Sequence, residues 1–230
     1  MLVAIGALVG LWLFRNELRR AKLSERALDA ALAGIIGGLF GAKFVWSIEH
    51  AGDVPFADLL LSRGGLSWYG GLAGGLLVGI SMLRRRGLPL VPVLSAATPA
   101  LAIGHAIGRV GCFMVGDDYG QPSALPWAVA FPEGLPPTTV PVHPTQLYEA
   151  ALLVPLAVLL IRWRRRGLPD RVVLGRYLFA AGTVRFFIEF VRVHEQIVGP
   201  LAVAHIASLL AVGAGLALIA VDRRSAAPPA

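Results

Sequence analysis

LPLVPVLSAATPALAIGHAIG, residues 88–108, contains no Asp, Glu, Lys or Arg and ends directly before Arg109. Folded in water, a helix of this length would expose apolar surface on every side. A bilayer accepts it as one crossing, because the hydrocarbon core takes roughly 20 apolar residues as a helix whose backbone hydrogen bonds are all internal. Outward from this stretch the pattern repeats. Apolar spans lie near residues 1–14, 28–48, 67–83, 145–161, 172–191 and 200–221, so that with 88–108 the chain has about seven. The sequence predicts an all-α integral membrane protein: a single transmembrane domain over residues 1–224, then a short low-complexity tail, disordered, over 225–230. Composition agrees. Of 230 residues 56% are hydrophobic and 15% charged, with a mean hydropathy of +0.69, where a soluble domain carries about 25% charged residues.

The charges are clustered. Arg15, Arg19, Arg20, Lys22 and Arg26 follow the first span; Arg84, Arg85 and Arg86 the third; Arg162, Arg164, Arg165, Arg166 and Arg171 the fifth; Arg223 and Arg224 the last, together 15 of the 21 basic residues. Glu49, Asp53, Asp58, Asp117, Asp118 and Glu133 occupy the alternate connections. Basic connections stay in the cytoplasm, which predicts an outside N-terminus and a cytoplasmic C-terminus. The net charge of +7 would also suit nucleic acid. Set in short runs between apolar spans, however, the basic residues fix topology, and no nucleic-acid partner is expected. Met1 to Phe14 lacks a basic start and a small-residue cleavage site, so no cleavable leader is expected. The one cysteine excludes an intrachain disulfide.

The longest connection, near 109–144 on the outer side, is rich in glycine and proline. Leu125, Trp127, Val129 and Phe131 predict that it is ordered near the membrane surface. In the third span Gly74, Gly75 and Gly79 read as close helix packing.

Three groups of residues carry chemistry. Charge at a span's edge is costly and marks function. Arg109 can hold a phosphate bidentately, or it can snorkel to the interface. Arg185, Glu189 and Arg192 share one helix face by their i, i+4, i+7 spacing; such a ladder is either a structural ion-pair network or an anion site in which Glu189 orients the arginines. Thr145 reads as the N-cap of the fifth span, with Pro144 enforcing the change from loop to helix. Gln146 and Glu149 lie three apart on one face and need polar partners, which Arg109 or Arg185 can supply. His105 precedes Arg109 by four residues and so shares a face with Arg109 and Cys112; it is either a packed histidine or an imidazole that serves the chemistry.

In order and spacing these blocks resemble the prolipoprotein diacylglyceryl transferase family. Its pattern G-R-x-G-N-F-x-N-G-E-x-x-G is matched at Gly108, Arg109, Gly111, Phe113, Gly116 and Gly120. H-P-[ST]-Q-L-Y-E is matched throughout from His143 to Glu149, including Gln146 and Tyr148, and R-x-x-x-E-x-x-R at Arg185, Glu189 and Arg192. Gly64 to Leu72 resembles G-G-[ML]-S-x-H-G-G-L, and Gly41-Ala42-Lys43 resembles G-[GA]-R. The likeness runs from about residue 1 to 221. This chain departs from the pattern at Tyr69 (histidine in the family), Cys112 and Val115 (asparagines), Asp117 (glutamate) and Ala181 (tyrosine), and lacks the family's N-terminal segment.

The resemblance implies a multi-pass protein of the bacterial plasma (inner) membrane. It implies transfer of a diacylglyceryl group from phosphatidylglycerol to the lipobox cysteine thiol at a prelipoprotein signal peptide, without cofactor or metal, in contact with membrane lipids. Arg109 and Arg185 would hold the phosphate and stabilise it as it leaves. Help in deprotonating a thiol of pKa about 8.5 would fall to Tyr69, flanked by Gly70 and Gly71, or to His105. Gly111, Cys112, Gly116, Asp117, His143, Gln146, Tyr148, Glu149, Glu189 and Arg192 are the expected substrate-binding surface. A second reading is a family member that binds lipid or lipoprotein without transferring.

Overall fold

The computed structural model of the chain describes residues 1–52, 55–62, 65–193 and 202–225. Asp53, Gly64 and residues 226–230 of the expected tail lie outside the described residues. The helices are α1 (Leu2–Arg20), α2 (Ala27–Glu49), α3 (Phe56–Leu61), α4 (Trp68–Arg85), α5 (Leu90–Val115), α6 (Thr145–Arg165), α7 (Asp170–Glu189) and α8 (Val203–Ser225). Strands β1 (Val129–Phe131) and β2 (Thr138–Val142) lie between α5 and α6. Among the described residues four helices, α2, α5, α6 and α8, are long and apolar enough to cross a membrane. Charge sets α1 and α7 apart from these: Arg15, Glu17 and Arg19 in one, Arg176, Arg185 and Glu189 in the other. In α4 glycines dilute the apolar character.

The chain forms two compact units, residues 15–93 and residues 1–14 with 94 onward. In the first, α2 and α4 pack along a seam of small residues. Gly34, Gly38 and Gly41 lie against the backbone of Gly75, Gly71 and Gly70. A Cβ at Gly70 would run into the carbonyl of Gly41 and lie 2.6 Å from Val45 Cβ, so Gly70 serves this packing. Without a hydrophobic drive between helices in lipid, such close approach is what holds them together. Ser67 closes the seam, donating from its hydroxyl to Glu49 Oε1 at 3.0 Å.

In the second unit Pro99 interrupts the α5 ladder, since it has no N–H for the carbonyl of Ser95. Thr98 Oγ1 donates to that carbonyl at 2.9 Å and satisfies it in the buried interior. Ala102 and Ala106 of α5 pack with Ala150, Leu153, Ala157 and Leu160 of α6 and Val173 of α7 in one apolar core. Gly175 and Gly182 of α7 seat on Gly215 and Ser208 of α8. These contacts hold the second half of α5 against α6 and the start of α7, and α7 against α8.

The structure corrects two boundaries and one connection. The first helix runs past residue 14 to Arg20. The fourth span continues beyond 108, so Arg109, Gly111 and Cys112 are helical and the connection begins at residue 116 instead of 109. The helix persists because the buried carboxylate of Glu149 and the loop carboxylate of Asp118 neutralise Arg109 where it stands, and the charge need not mark the interface. Third, the connection expected in an all-α protein holds an antiparallel hairpin, with Val129 opposite Val142 and Phe131 opposite Thr138. Strands of three and five residues, one containing Pro141, leave no alternation long enough to read. The segment is ordered by its aromatic residues: Phe131 packs on Phe113 and Tyr119, at centroid distances of 5.5 and 5.6 Å.

Candidate active site

Glu149, in the second turn of α6, is 2% exposed. Such a carboxylate is tolerable only with cationic partners; two arginines supply them, and a histidine stands within reach. Arg109 Nε lies 2.8 Å from Glu149 Oε2, Arg185 Nη1 3.8 Å from the same oxygen, and His105 Nε2 3.5 Å from Oε1. Arg109 and Arg185, far apart in sequence, therefore meet at one atom. The Arg109 N–H is not aimed along this contact, which makes it an ion pair and not a linear hydrogen bond.

From Glu149 the network continues in both directions. Arg185 Nη2 lies 2.7 Å from Glu189 Oε2, and Arg192 Nη1 lies 3.4 Å from that oxygen. Arg192 Nη2 then reaches Asp118 Oδ1, and Asp118 Oδ2 accepts from Arg109 Nη1 at 2.9 Å. The path closes: Arg109, Glu149, Arg185, Glu189, Arg192 and Asp118 form a ring of alternating sign. Three guanidinium groups and three carboxylates cancel in formal charge.

The loop after α5 is built to deliver Asp118. Gly116 turns the chain at φ +71°, and a Cβ there would lie 2.9 Å from Gly134 Cα, so glycine is required. Asp118 is itself left-handed at φ +57°, a conformation that Asp tolerates better than most residues. Thr145 Oγ1 donates to the carbonyl of Asp118 at 2.9 Å, and Gln146 Nε2 to the carbonyl of Asp117. Thr145 is thus not the N-cap of α6. Pro144 holds that position, and the Thr145 hydroxyl is committed to the loop.

His143 and Tyr148 stand beside the ring residues in sequence but make a separate contact. Tyr148 Oη accepts from Trp127 Nε1 at 2.7 Å and lies 3.3 Å from His143 Nδ1. Gly111 backs onto Leu2, where a Cβ would come within 3.2 Å. Cys112 Sγ and the carboxylates of Asp117 and Asp118 have atoms within 4.8 Å of one another. Asp118 is already shared by two arginines, whose charge opposes a cation there. Tyr69, Gly70 and Gly71 belong to the first turns of α4 in the other unit, where Tyr69 is 40% exposed and packs edge-on against Trp68.

The family model described as prolipoprotein diacylglyceryl transferase matches residues 1–221. The chain belongs to this family. A phosphatidylglycerol–prolipoprotein diacylglyceryl transferase of Azotobacter vinelandii is 36% identical over 190 residues, covering 82% of this chain and 71% of that protein. Proteins of the same name from Methylococcus capsulatus, 33% identical over 183 residues, and Geobacter sulfurreducens, 31% over 212, cover 79% and 90% of this chain and 69% and 80% of their own lengths. In this prolipoprotein diacylglyceryl transferase family member, the three sequence blocks that carry the likeness supply five of the ring's six members. Asp118 falls at a free position of the first block, and Trp127 lies outside all of them. Neither was legible as a site residue, although an acid directly after Gly116-Asp117 was the available signal for Asp118.

Proposed function

We propose that this protein moves a diacylglyceryl group from phosphatidylglycerol to the lipobox cysteine of a prelipoprotein at the outer face of the bacterial inner membrane. The observation that carries the reading is the meeting of Arg109, Arg185 and Arg192 through shared carboxylates at the joined ends of α5, α6 and α7. In this topology all seven long helices span, with the N-terminus outside and the basic ends of α4 and α6 in the cytoplasm.

The substrate thiolate attacks the glyceryl carbon; a C–S bond forms and the C–O bond to phosphate breaks. Glycerol phosphate leaves with one more negative charge than the diester carried, and the thiol proton passes to a base. Guanidinium groups fixed beforehand stabilise that growing charge without reorganising, and their fork geometry suits phosphate oxygens. Glu149 and Glu189 hold the forks in place. His105, 40% exposed at its side chain and 3.5 Å from Glu149, has a carboxylate to stabilise its imidazolium once it takes the proton. Tyr69 stands at the family's histidine position, and its phenol is a second candidate to assist the thiol's deprotonation.

The test is transfer from phosphatidylglycerol to a lipobox peptide, read as a mobility shift. Arg109→Ala and Arg185→Ala should each lose roughly 10²-fold or more in rate, the usual effect of removing one such donor, while still purifying as folded protein. Near-normal transfer by either variant removes that arginine from the mechanism. Absence of transfer by the unaltered protein supports binding without chemistry.

A further inference from the structure

One member of the ring is free to leave it. The side chain of Asp118 is 46% exposed, against 2% for Glu149 and 4% for Glu189. Its backbone is held independently by the Thr145 hydroxyl, so the carboxylate can rotate to water without moving the loop. Glu149 and Glu189 cannot follow, because their departure would strand buried guanidinium charge. Arg109, 6% exposed, keeps Nη2 buried without a hydrogen-bond partner among the described residues, as does Arg192 at Nε. The two arginines thus present more donors than one carboxylate satisfies. Beside Asp118 and Arg192 a cavity of about 360 Å³ is lined by these two with Tyr119, Leu135 and Pro136.

We infer that Asp118 is a positioning residue that stands in for the substrate's phosphate: it holds Arg109 and Arg192 together and yields them to the phosphodiester. The inference rests on the phosphate-clamp reading above. Charge balance requires the exchange. A phosphodiester added to a neutral ring leaves a net negative charge in a largely buried site, whereas one that replaces the Asp118 carboxylate restores neutrality. The phosphate also brings more acceptor oxygens to the unsatisfied N–H groups. Return of Asp118 to the arginines then competes with the departing glycerol phosphate.

The experiment uses the full chain in detergent, with phosphatidylglycerol and a lipobox peptide, and glycerol phosphate as inhibitor. Asp118→Asn, which keeps the left-handed turn, should lower KM for phosphatidylglycerol roughly 3- to 10-fold, the scale of one half-exposed charged contact removed. Inhibition by glycerol phosphate should tighten by the same factor. Asp118→Gly, equally at ease in the turn, should do likewise. A merely structural role predicts the reverse, a raised KM or lower rate with a lower melting temperature, and either that or unchanged constants overturns the exchange. Arg109→Gln separates the premises. If it weakens inhibition while Asp118→Asn does not tighten it, the clamp stands and the exchange is wrong; if it leaves inhibition unchanged, both fall.

Discussion

Replacing Glu149 by Gln keeps the size of the side chain and removes the charge on which two arginines meet. Glu149 and Arg109 are 2% and 7% exposed at their side chains, so water cannot take the carboxylate's place. Removing one partner of a buried pair costs about 3–5 kcal/mol, and the new amide also turns N–H donors toward guanidinium donors. We expect Glu149→Gln to cost at least about 3 kcal/mol on that basis. The share of each arginine follows from distance. Coulomb attraction falls as 1/r, so Arg109 at 2.8 Å should couple roughly 1.4 times as strongly as Arg185 at 3.8 Å. The true ratio should be larger, because Arg185 is 25% exposed and can rehydrate. Double-mutant cycles with Arg109→Gln and Arg185→Gln, from unfolding in mixed micelles followed by tryptophan fluorescence, should give couplings of about 2 and about 1 kcal/mol, within the range for residues in one network. A cost below about 1 kcal/mol for Glu149→Gln would mean an exposed, weakly coupled carboxylate. That result, or a stronger coupling to Arg185 than to Arg109, refutes the reasoning.

Tyr69→Phe removes only a hydroxyl and should slow transfer roughly tenfold, a modest loss for a group that assists proton transfer, whereas Tyr69→His should keep or raise activity because imidazole titrates nearer neutral pH; full activity in Tyr69→Phe would leave His105 as the group to test. Reporter fusions after Arg86 and Arg166 should both report cytoplasmic, and a periplasmic signal at both would sink the proposed topology. Gly116→Ala should cost about 2–3 kcal/mol, from left-handed backbone and from overlap with Gly134 and Phe131; an unchanged melting temperature would show that the turn adapts.

Much of this was legible because membrane helices are written in long charge-free runs, and residues 88–108 needed only that rule. What misled was the same rule at its limit. An arginine normally ends a span, but α5 continues through Arg109 because its partners come from α6 and from the loop after Val115, and neither can be inferred from spacing on α5 alone. The hairpin was hidden by brevity and by Pro141. Helical spacing placed Arg185 and Glu189 on one face of α7, but the helix ends at Glu189, and Arg192 lies beyond it, bridged to Gly120, and reaches the Glu189 carboxylate from there. The closure of the ring depended on two residues outside any helix, Arg192 and Asp118, and there periodicity is silent. Charge accounting speaks instead. Arg109, Arg185 and Arg192 against Glu149 and Glu189 leave one guanidinium charge to be met by an anion on the ring's water-facing side. The chain meets it with a loop acid at the ends of α5 and α7. Of the neighbouring acids Asp117 spends its backbone carbonyl on Gln146, while the left-handed turn at Asp118 aims the next carboxylate at both remaining arginines. Because that last acid sits on a loop and faces water, it is also the member of the ring that a substrate anion can replace.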